Sequence, residues 1–145
     1  MFERYTESAR RALFFARYEA SQFGSISIET EHLLLGLVRQ GAVVKALLPV
    51  PLERLRREVE GRVVFKEKVS TSVEMPFSAE TKRVLQFAAE EADALRHAHI
   101  GSEHLLLGLL REDHSGAASV LVAQGIRLGD VRREVEKLRG PLEAR

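Results

Sequence analysis

The feature that most constrains the fold of this chain is an internal repeat with an offset of 72 residues. The segment Glu29–Leu37 returns as Gly101–Leu109, with the run Glu-His-Leu-Leu-Leu-Gly-Leu unchanged. Pairing residues 6–39 with residues 78–111 without a gap gives 15 identities in 34 positions. Such a repeat indicates that one structural unit occurs twice in tandem and packs against its own copy.

The repeated segment predicts a buried helix in each copy, which we call the hub helix. Thr30 and Ser102 favour the N-cap position, and each is followed by a glutamate and an apolar run. Leucines lie nearly all round these helices, which is typical of a central helix. Gly36 and Gly108 are unfavourable inside a helix, so we expect another backbone to pass close to each.

The remaining apolar periodicity predicts three more helices in each repeat. A first helix follows Thr6 or its copy Ser78, and two shorter helices follow the hub helix. The short helices are predicted at residues 42–48, 52–64, 116–124 and 128–138. We therefore expect an all-α fold of eight helices, built as a tandem pseudo-twofold duplication of a four-helix repeat.

The chain is predicted to form a single domain over residues 1–139. Residues 65–76 have no helical period and carry serine and threonine, so we interpret them as a linker. Repeat one then covers residues 1–64 and repeat two covers residues 77–139. Residues 140–145 are interpreted as a tail.

The first turn of each hub helix places Glu31 or Glu103 beside backbone N–H groups that attract anions. A carboxylate next to such a cradle suits a ligand that carries a cationic and an anionic part. The alternative is that each glutamate only completes a helix terminus. Duplication does not decide between these interpretations.

Composition limits the classes of protein to which the chain can belong. It has 22 basic and 21 acidic residues, which favours salt-bridged surfaces over a nucleic-acid interface. It contains no cysteine and no apolar run long enough to span a bilayer. Glu3 and Arg4 make its start unlike a signal peptide. We expect a soluble, cytoplasmic protein that binds neither nucleic acid nor membranes.

One histidine-rich stretch is the candidate for a metal site: His97, His99, Glu103 and His104. Repeat one has Ser25 and Ser27 at the positions of the first two histidines, so a metal site is not part of the duplicated design. The repeated His32 and His104 are interpreted as hydrogen-bonded packing residues of a helix start. Without a phosphate-binding loop or a Gly-x-Ser-x-Gly motif, we expect no enzyme activity, no cofactor and no metal.

The chain resembles the N-terminal domain of the Clp ATPases, the unfoldases that feed a partner protease, and in particular the ClpC and ClpA type. The resemblance rests on the start Met1–Thr6, the doubled Glu-His-Leu-Leu-Leu-Gly-Leu motif, the segment Pro76–Ser78 and the repeat spacing, and it covers roughly residues 1–139. It implies an eight-helix module that binds adaptor proteins and protein substrates and hands them to an AAA+ ring. The alternatives are a free-standing homologue that regulates adaptors and a small metal-binding or hydrolytic protein.

The resemblance also implies site residues. In ClpC-type domains that work with arginine phosphorylation, the glutamate of each motif holds the guanidinium of a phosphoarginine. Glu31 and Glu103 are the corresponding residues here, with Thr6, Ser78 and, more weakly, Arg4 near the phosphoryl group. The family also places a hydrophobic groove beside the start of each first helix. That groove maps to Phe2 and Phe77, for which ordinary terminal packing is the alternative.

This chain departs from the family pattern at positions that affect the expected sites. The family usually has glycine before the motif, whereas the first copy has Glu29, whose carboxylate should repel a phosphoryl group. Ser102 replaces the usual threonine. A charged, β-branched segment, Val63–Met75, replaces a glycine-rich linker. If only one site binds, we expect it to be the site of Glu103.

Overall fold

A computed structural model describes residues 2–138 of the chain, and this part contains eight helices. In chain order they are α1 (Glu7–Gln22), α2 (Thr30–Gln40), α3 (Ala42–Leu47), α4 (Leu52–Glu60), α5 (Ala79–Ala94), α6 (Ser102–Arg111), α7 (Gly116–Ala123) and α8 (Leu128–Lys137). The predicted all-α fold with four helices in each repeat is confirmed. The described residues form no β-strand, and their only β-type pairs are two isolated β-bridges.

The hub helices, α2 and α6, are buried as the leucine pattern predicts. All eight repeated leucines of these helices are fully buried: Leu33, Leu34, Leu35, Leu37, Leu105, Leu106, Leu107 and Leu109. A Cβ at Gly36 would lie 2.3 Å from the carbonyl oxygen of Ala12 in α1. A Cβ at Gly108 would lie 2.5 Å from the carbonyl oxygen of Val84 in α5. The expected close approach of another backbone is therefore confirmed in both repeats.

Each repeat also contains a buried glutamate that joins three helices. Glu91 of α5 accepts hydrogen bonds from Arg132 of α8 at 2.7 and 2.8 Å and from Arg111 of α6 at 3.2 Å. Glu19 of α1 holds Arg56 of α4 and Arg39 of α2 in the same way, at 3.1–3.4 Å. This network ties the first and fourth helices of each repeat to the hub helix. This network was not predicted from the sequence.

The segment between the repeats packs against repeat one through its backbone. The N–H of Lys66 donates to the carbonyl oxygen of Phe23 at 3.0 Å, and the N–H of Val69 donates to Ser21 at 2.9 Å. Gly24 has φ +71°, and a Cβ there would lie 2.2 Å from the carbonyl oxygen of Glu67, so glycine permits this close passage. The linker thus forms part of the surface of repeat one.

The predicted end of the fourth helix differs from the structure. Helix α4 ends at Glu60, so Val63, which was predicted inside it, belongs to the segment between the repeats. The helix stops because Arg62 to Phe65 turn to follow the end of α1, where the backbone of Lys66 is bonded. The predicted tail, residues 140–145, lies outside the described residues.

None of the described helices combines the length and the apolar composition that a membrane span requires.

Candidate functional site

The segment before the first helix of each repeat pairs with the segment before the hub helix of the other repeat. We call this arrangement the exchange of starting segments, and we call the two places where it occurs the junctions. Tyr5, before α1, forms a parallel bridge with Ile100, before α6, and Phe77, before α5, forms one with Ile28, before α2. The N–H of Thr6 donates to Ile100 at 3.0 Å, and the N–H of Ser78 donates to Ile28 at 3.1 Å. Each hub-helix start therefore lies beside the first-helix start of the other repeat.

The hydroxyl groups of Thr6 and Ser78 cap the first helices. The N–H of Ala9 donates to Oγ1 of Thr6 at 3.1 Å, and the N–H of Thr81 donates to Oγ of Ser78 at 3.1 Å. In this role each oxygen accepts a backbone hydrogen bond, and the Ser78 hydroxyl also shares a hydrogen bond with Oγ1 of Thr81 at 2.8 Å. By the exchange, Thr6 belongs to the junction of Glu103, and Ser78 belongs to the junction of Glu31.

The repeated histidines fix the starts of the hub helices. Nδ1 of His32 accepts the backbone N–H of Glu29 at 2.9 Å, and Nδ1 of His104 accepts the N–H of Gly101 at 2.8 Å. Burial lowers the pKa of His32, and burial together with the neighbouring His97 lowers the pKa of His104 to about 4. Both rings are therefore neutral near pH 7. Their interpretation as hydrogen-bonded packing residues is confirmed.

The N-cap residues of the hub helices are Glu29 and Gly101, so the prediction of Thr30 and Ser102 as N-caps was wrong by one residue. The reason is that the histidine at the third helical position binds the backbone N–H of the residue before the threonine or serine. Thr30 uses its hydroxyl elsewhere, because its Oγ1 lies 3.0 Å from Oε1 of Glu31.

The two candidate glutamates take different positions. The carboxylate of Glu103 folds back over Gly101, where a Cβ would lie 2.0 Å from Oε1, and the residue is only 2% exposed. Glu31 is half-buried, and its carboxylate lies against Gly116 at the start of α7, where a Cβ would lie 2.2 Å from Oε2. Because Glu29 carries a Cβ where Gly101 has none, Glu31 cannot fold back in the manner of Glu103.

Arg4 lies at the edge of the Glu103 junction. Its Nη2 donates to Asp93 at 2.8 Å and to the carbonyl oxygen of His97 at 3.3 Å. Its Nε donates to the carbonyl oxygen of Ala98 at 3.2 Å. Arg4 thus holds the loop that leads to Ile100 while its side chain stays exposed to solvent. Its charge is paired with that of Asp93.

The predicted groove residues Phe2 and Phe77 meet at one place. Their ring centroids are 6.3 Å apart, and Phe2 also packs edge-on against Tyr5 at 4.9 Å. Beside them is an open cavity of about 330 Å³, whose lining includes Phe2, Leu85 and Ala89. Both phenylalanines are half-buried. The structure therefore places the two residues in a single aromatic cluster, and their role in binding stays a prediction.

The histidine-rich stretch forms a pocket of about 230 Å³, lined in part by His97, His99 and Glu103. Nδ1 of His97 lies 2.8 Å from Nε2 of His104, so the two rings are joined by a hydrogen bond. Among residues 2–138 there is no group of three or more histidine, aspartate or glutamate side chains that could hold a metal ion.

Comparison with known proteins identifies one family. Its model, the Clp repeat (R) N-terminal domain, matches residues 4–124 and 77–143. The chaperone protein ClpC1 of the chloroplast of Oryza sativa is 40% identical over 144 residues, which is 97% of this chain and 16% of that protein. The negative regulator of genetic competence ClpC/MecB of Bacillus subtilis is 39% identical over 147 residues, 99% of this chain and 18% of that protein. The chain therefore spans less than a fifth of the length of these relatives.

A solved structure agrees with this match. The N-terminal domain of the caseinolytic protease associated chaperone ClpD from Arabidopsis thaliana superposes with a TM-score of 0.74 at 31% identity. The superposition covers 92% of this chain and 93% of that domain. The similarity thus extends over the helices of both repeats.

Proposed function

Because the chain belongs to the Clp repeat (R) N-terminal domain family, we propose that it is a recognition module that receives adaptor proteins and protein substrates for a Clp AAA+ unfoldase. The observation that carries this proposal is the pair of equivalent junctions, each with a glutamate at a hub-helix start beside a capping hydroxyl from the other repeat. Two sites at equivalent positions of the repeats suit a binding protein. We further propose that this chain catalyses no reaction and needs no cofactor.

The ligand that we propose for the junctions is phosphoarginine. Its guanidinium would bind the carboxylate of Glu103 or Glu31, and the hydroxyl protons of Thr6 or Ser78 would be donated to the phosphoryl oxygens. Glu103 is buried, so the guanidinium would reach it through the pocket that Glu103 lines with His97 and His99.

The two junctions should differ in affinity. Arg4, which is paired with Asp93, is a cation at the edge of the Glu103 junction, whereas Glu29 adds a second carboxylate at the Glu31 junction. A phosphoryl group is attracted by the first and repelled by the second. We therefore expect the Glu103 junction to bind more tightly. When both sites are occupied by one substrate chain, the second contact forms at a high effective concentration.

Calorimetric titration with a phosphoarginine peptide tests this proposal. A charge-assisted hydrogen bond contributes about 1.5 to 3 kcal/mol, so Glu103→Ala should weaken binding by about tenfold to a hundredfold. Glu31→Ala should have a smaller effect, and the double variant should not bind. The same peptide with unmodified arginine and the exposed-surface variant Glu134→Ala serve as controls. Absence of saturable binding by the unmodified domain would contradict the phosphoarginine assignment.

A further inference from the structure

The two repeats differ at the second nitrogen of the repeated histidine. Nε2 of His104 is bonded to His97, but Nε2 of His32 is buried and has no hydrogen-bond partner within residues 2–138. Ser25 occupies the position of His97, at the offset of 72 residues. Its hydroxyl turns away and donates to the carbonyl oxygen of Ser27 at 2.6 Å. Repeat one therefore leaves open the place that an imidazole ring fills in repeat two.

The open nitrogen of His32 is a hydrogen-bond donor. Nδ1 of this ring accepts the N–H of Glu29, so the proton of the neutral ring lies on Nε2. Burial lowers the pKa of His32, which keeps the ring neutral near pH 7. His32 is 2% exposed. A buried donor without an acceptor is unfavourable, so this position favours a ligand that supplies an oxygen.

His32 is one of the residues that line a cavity of about 380 Å³, which we call the first-repeat cavity. Its lining includes Ser25, Ile26, Glu29, Glu31, His32 and Val64. Ile26 and Val64 are 87% and 74% exposed, so the rim of the cavity is apolar and open to solvent. Val64 belongs to the segment between the repeats, which the bond from Lys66 to Phe23 holds in place.

The charge of the cavity is negative. The carboxylates of Glu29 and Glu31 accept hydrogen bonds from the hydroxyls of Ser27 and Thr30, but neither forms an ion pair within residues 2–138. Lys66 is the cationic side chain of the lining, against these two carboxylates. The cavity thus offers a site for a cation, a donor for an oxygen and an apolar rim.

We propose that the first-repeat cavity binds the free amino terminus of a peptide that begins with an apolar residue. The α-ammonium group binds the carboxylates of Glu29 and Glu31, and the first carbonyl oxygen accepts the Nε2–H of His32. The first side chain packs against Ile26 and Val64. This inference rests on the proposed recognition function and names a class of substrate for repeat one.

Other peptide groups fit the cavity less well. A carboxyl terminus would place its negative charge beside Glu29 and Glu31. An internal peptide segment has a carbonyl oxygen but no ammonium group, and a lysine side chain has an ammonium group without an adjacent carbonyl. The amino-terminal residue carries the ammonium group, the carbonyl and the side chain within one unit.

Titration of the isotope-labelled domain with two peptides tests the proposal. Both begin with leucine and have an amidated carboxyl terminus, and one of them is also acetylated at its amino terminus. Calorimetry gives the affinity, and NMR of the His32 imidazole reports on Nε2. We expect the free-amine peptide to bind and to shift the Nε2 signal, and acetylation to weaken binding by about tenfold or more.

The internal repeat supplies a variant that gives Nε2 of His32 a hydrogen-bond partner within the chain without removing any buried group. Ser25→His introduces the ring that His97 provides in repeat two, so it should abolish binding of the free-amine peptide. Ser119→His, on the exposed face of α7, is the matched control and should leave the affinity unchanged. Glu29→Gln should weaken binding by about threefold to tenfold, because one of the two carboxylates is lost.

Equal binding of the acetylated peptide, an unchanged affinity of Ser25→His, or no saturable binding at all would each overturn this inference. Its failure can be told apart from failure of the proposed phosphoarginine function. Glu29→Gln and Ser25→His act on the first-repeat cavity, whereas Glu103→Ala acts on the other junction. A domain that binds the phosphoarginine peptide but not the free-amine peptide would refute the inference alone.

Discussion

Replacing Glu91 with glutamine tests whether the buried network of each repeat holds its helices together. The Glu91 side chain is 7% exposed and accepts two short hydrogen bonds from Arg132 and a longer one from Arg111. Glutamine keeps the shape of the side chain but removes its charge. It also turns an amide donor toward guanidinium groups that can only donate.

The expected loss follows from the number and exposure of these bonds. A hydrogen bond to a charged group contributes about 1.5 to 3 kcal/mol, and breaking a buried ion pair costs about 3 to 5 kcal/mol. Arg111 and Arg132 are 25% and 41% exposed, so both can recover water when the carboxylate is lost. We therefore expect Glu91→Gln to lower the free energy of unfolding by about 2 to 4 kcal/mol.

Thermal and urea unfolding measure this change. For a domain of this size, the loss corresponds to a decrease in Tm of about 6 to 15 °C. Glu19→Gln should cost less, about 1 to 2 kcal/mol, because its bonds to Arg56 and Arg39 are longer. Glu134→Gln is the surface control, since Glu134 and Lys137 are both mostly exposed, and it should change stability by less than about 0.5 kcal/mol. A Glu91→Gln domain as stable as the Glu134→Gln domain would refute the reasoning.

Three further predictions concern stability. Gly108→Ala should lower the free energy of urea unfolding by about 2 kcal/mol or more, because the added Cβ would meet the backbone of α5. Gly61→Ala, whose Cβ has only ordinary contacts, is the control. Equal effects of the two substitutions would contradict this reasoning. The pKa of His104 is lowered from 6.5 to about 4, so the unfolded chain binds more protons than the folded chain between these pH values. The free energy of unfolding should therefore fall by about 3 kcal/mol as the pH drops from 6.5 to 4. His104→Gln, which can still accept the N–H of Gly101, should weaken this dependence on pH. The hydrogen bond from Arg132 lowers the pKa of Glu91 below 4.5, so the stabilisation that ionised Glu91 provides should be lost as the pH falls below that value. Glu91→Gln should therefore weaken the dependence of the free energy of unfolding on pH in this acidic range.

The hub helices could be predicted from the sequence because their signals are local. A repeated run of leucines that contains a glycine predicts a buried helix with another backbone close to the glycine, and this prediction does not depend on the rest of the chain. The exact helix starts were missed because the hydrogen bond from His32 or His104 competes with the capping preference of Thr30 or Ser102. The fourth helix was predicted too long because Val63 continues the helical period, although it lies beyond the end of α4 and packs against the core from the segment between the repeats.

The exchange of starting segments could not be predicted from the pattern. Tyr5 and Ile100 are far apart in sequence, and their pairing depends on how the two repeats pack. Thr6 and Glu103 were both predicted as site residues, but not at the same junction. The sequence did contain a signal for the buried role of Glu19 and Glu91, and it was overlooked. Both glutamates occupy the same position of the ungapped repeat and lie among the alanines of the first helices.

The measurement that tests the proposed function most directly is an amide NMR titration with a phosphoarginine peptide, repeated with Glu103→Ala and Glu31→Ala. Since the repeats exchange their starting segments, we predict that Glu103→Ala removes the peptide-induced shifts at Thr6 and preserves those at Ser78. Glu31→Ala should do the reverse. Shifts that follow the repeat boundary instead, with Glu103 controlling Ser78 and Glu31 controlling Thr6, would contradict the paired junctions, and so would the absence of shifts at both residues.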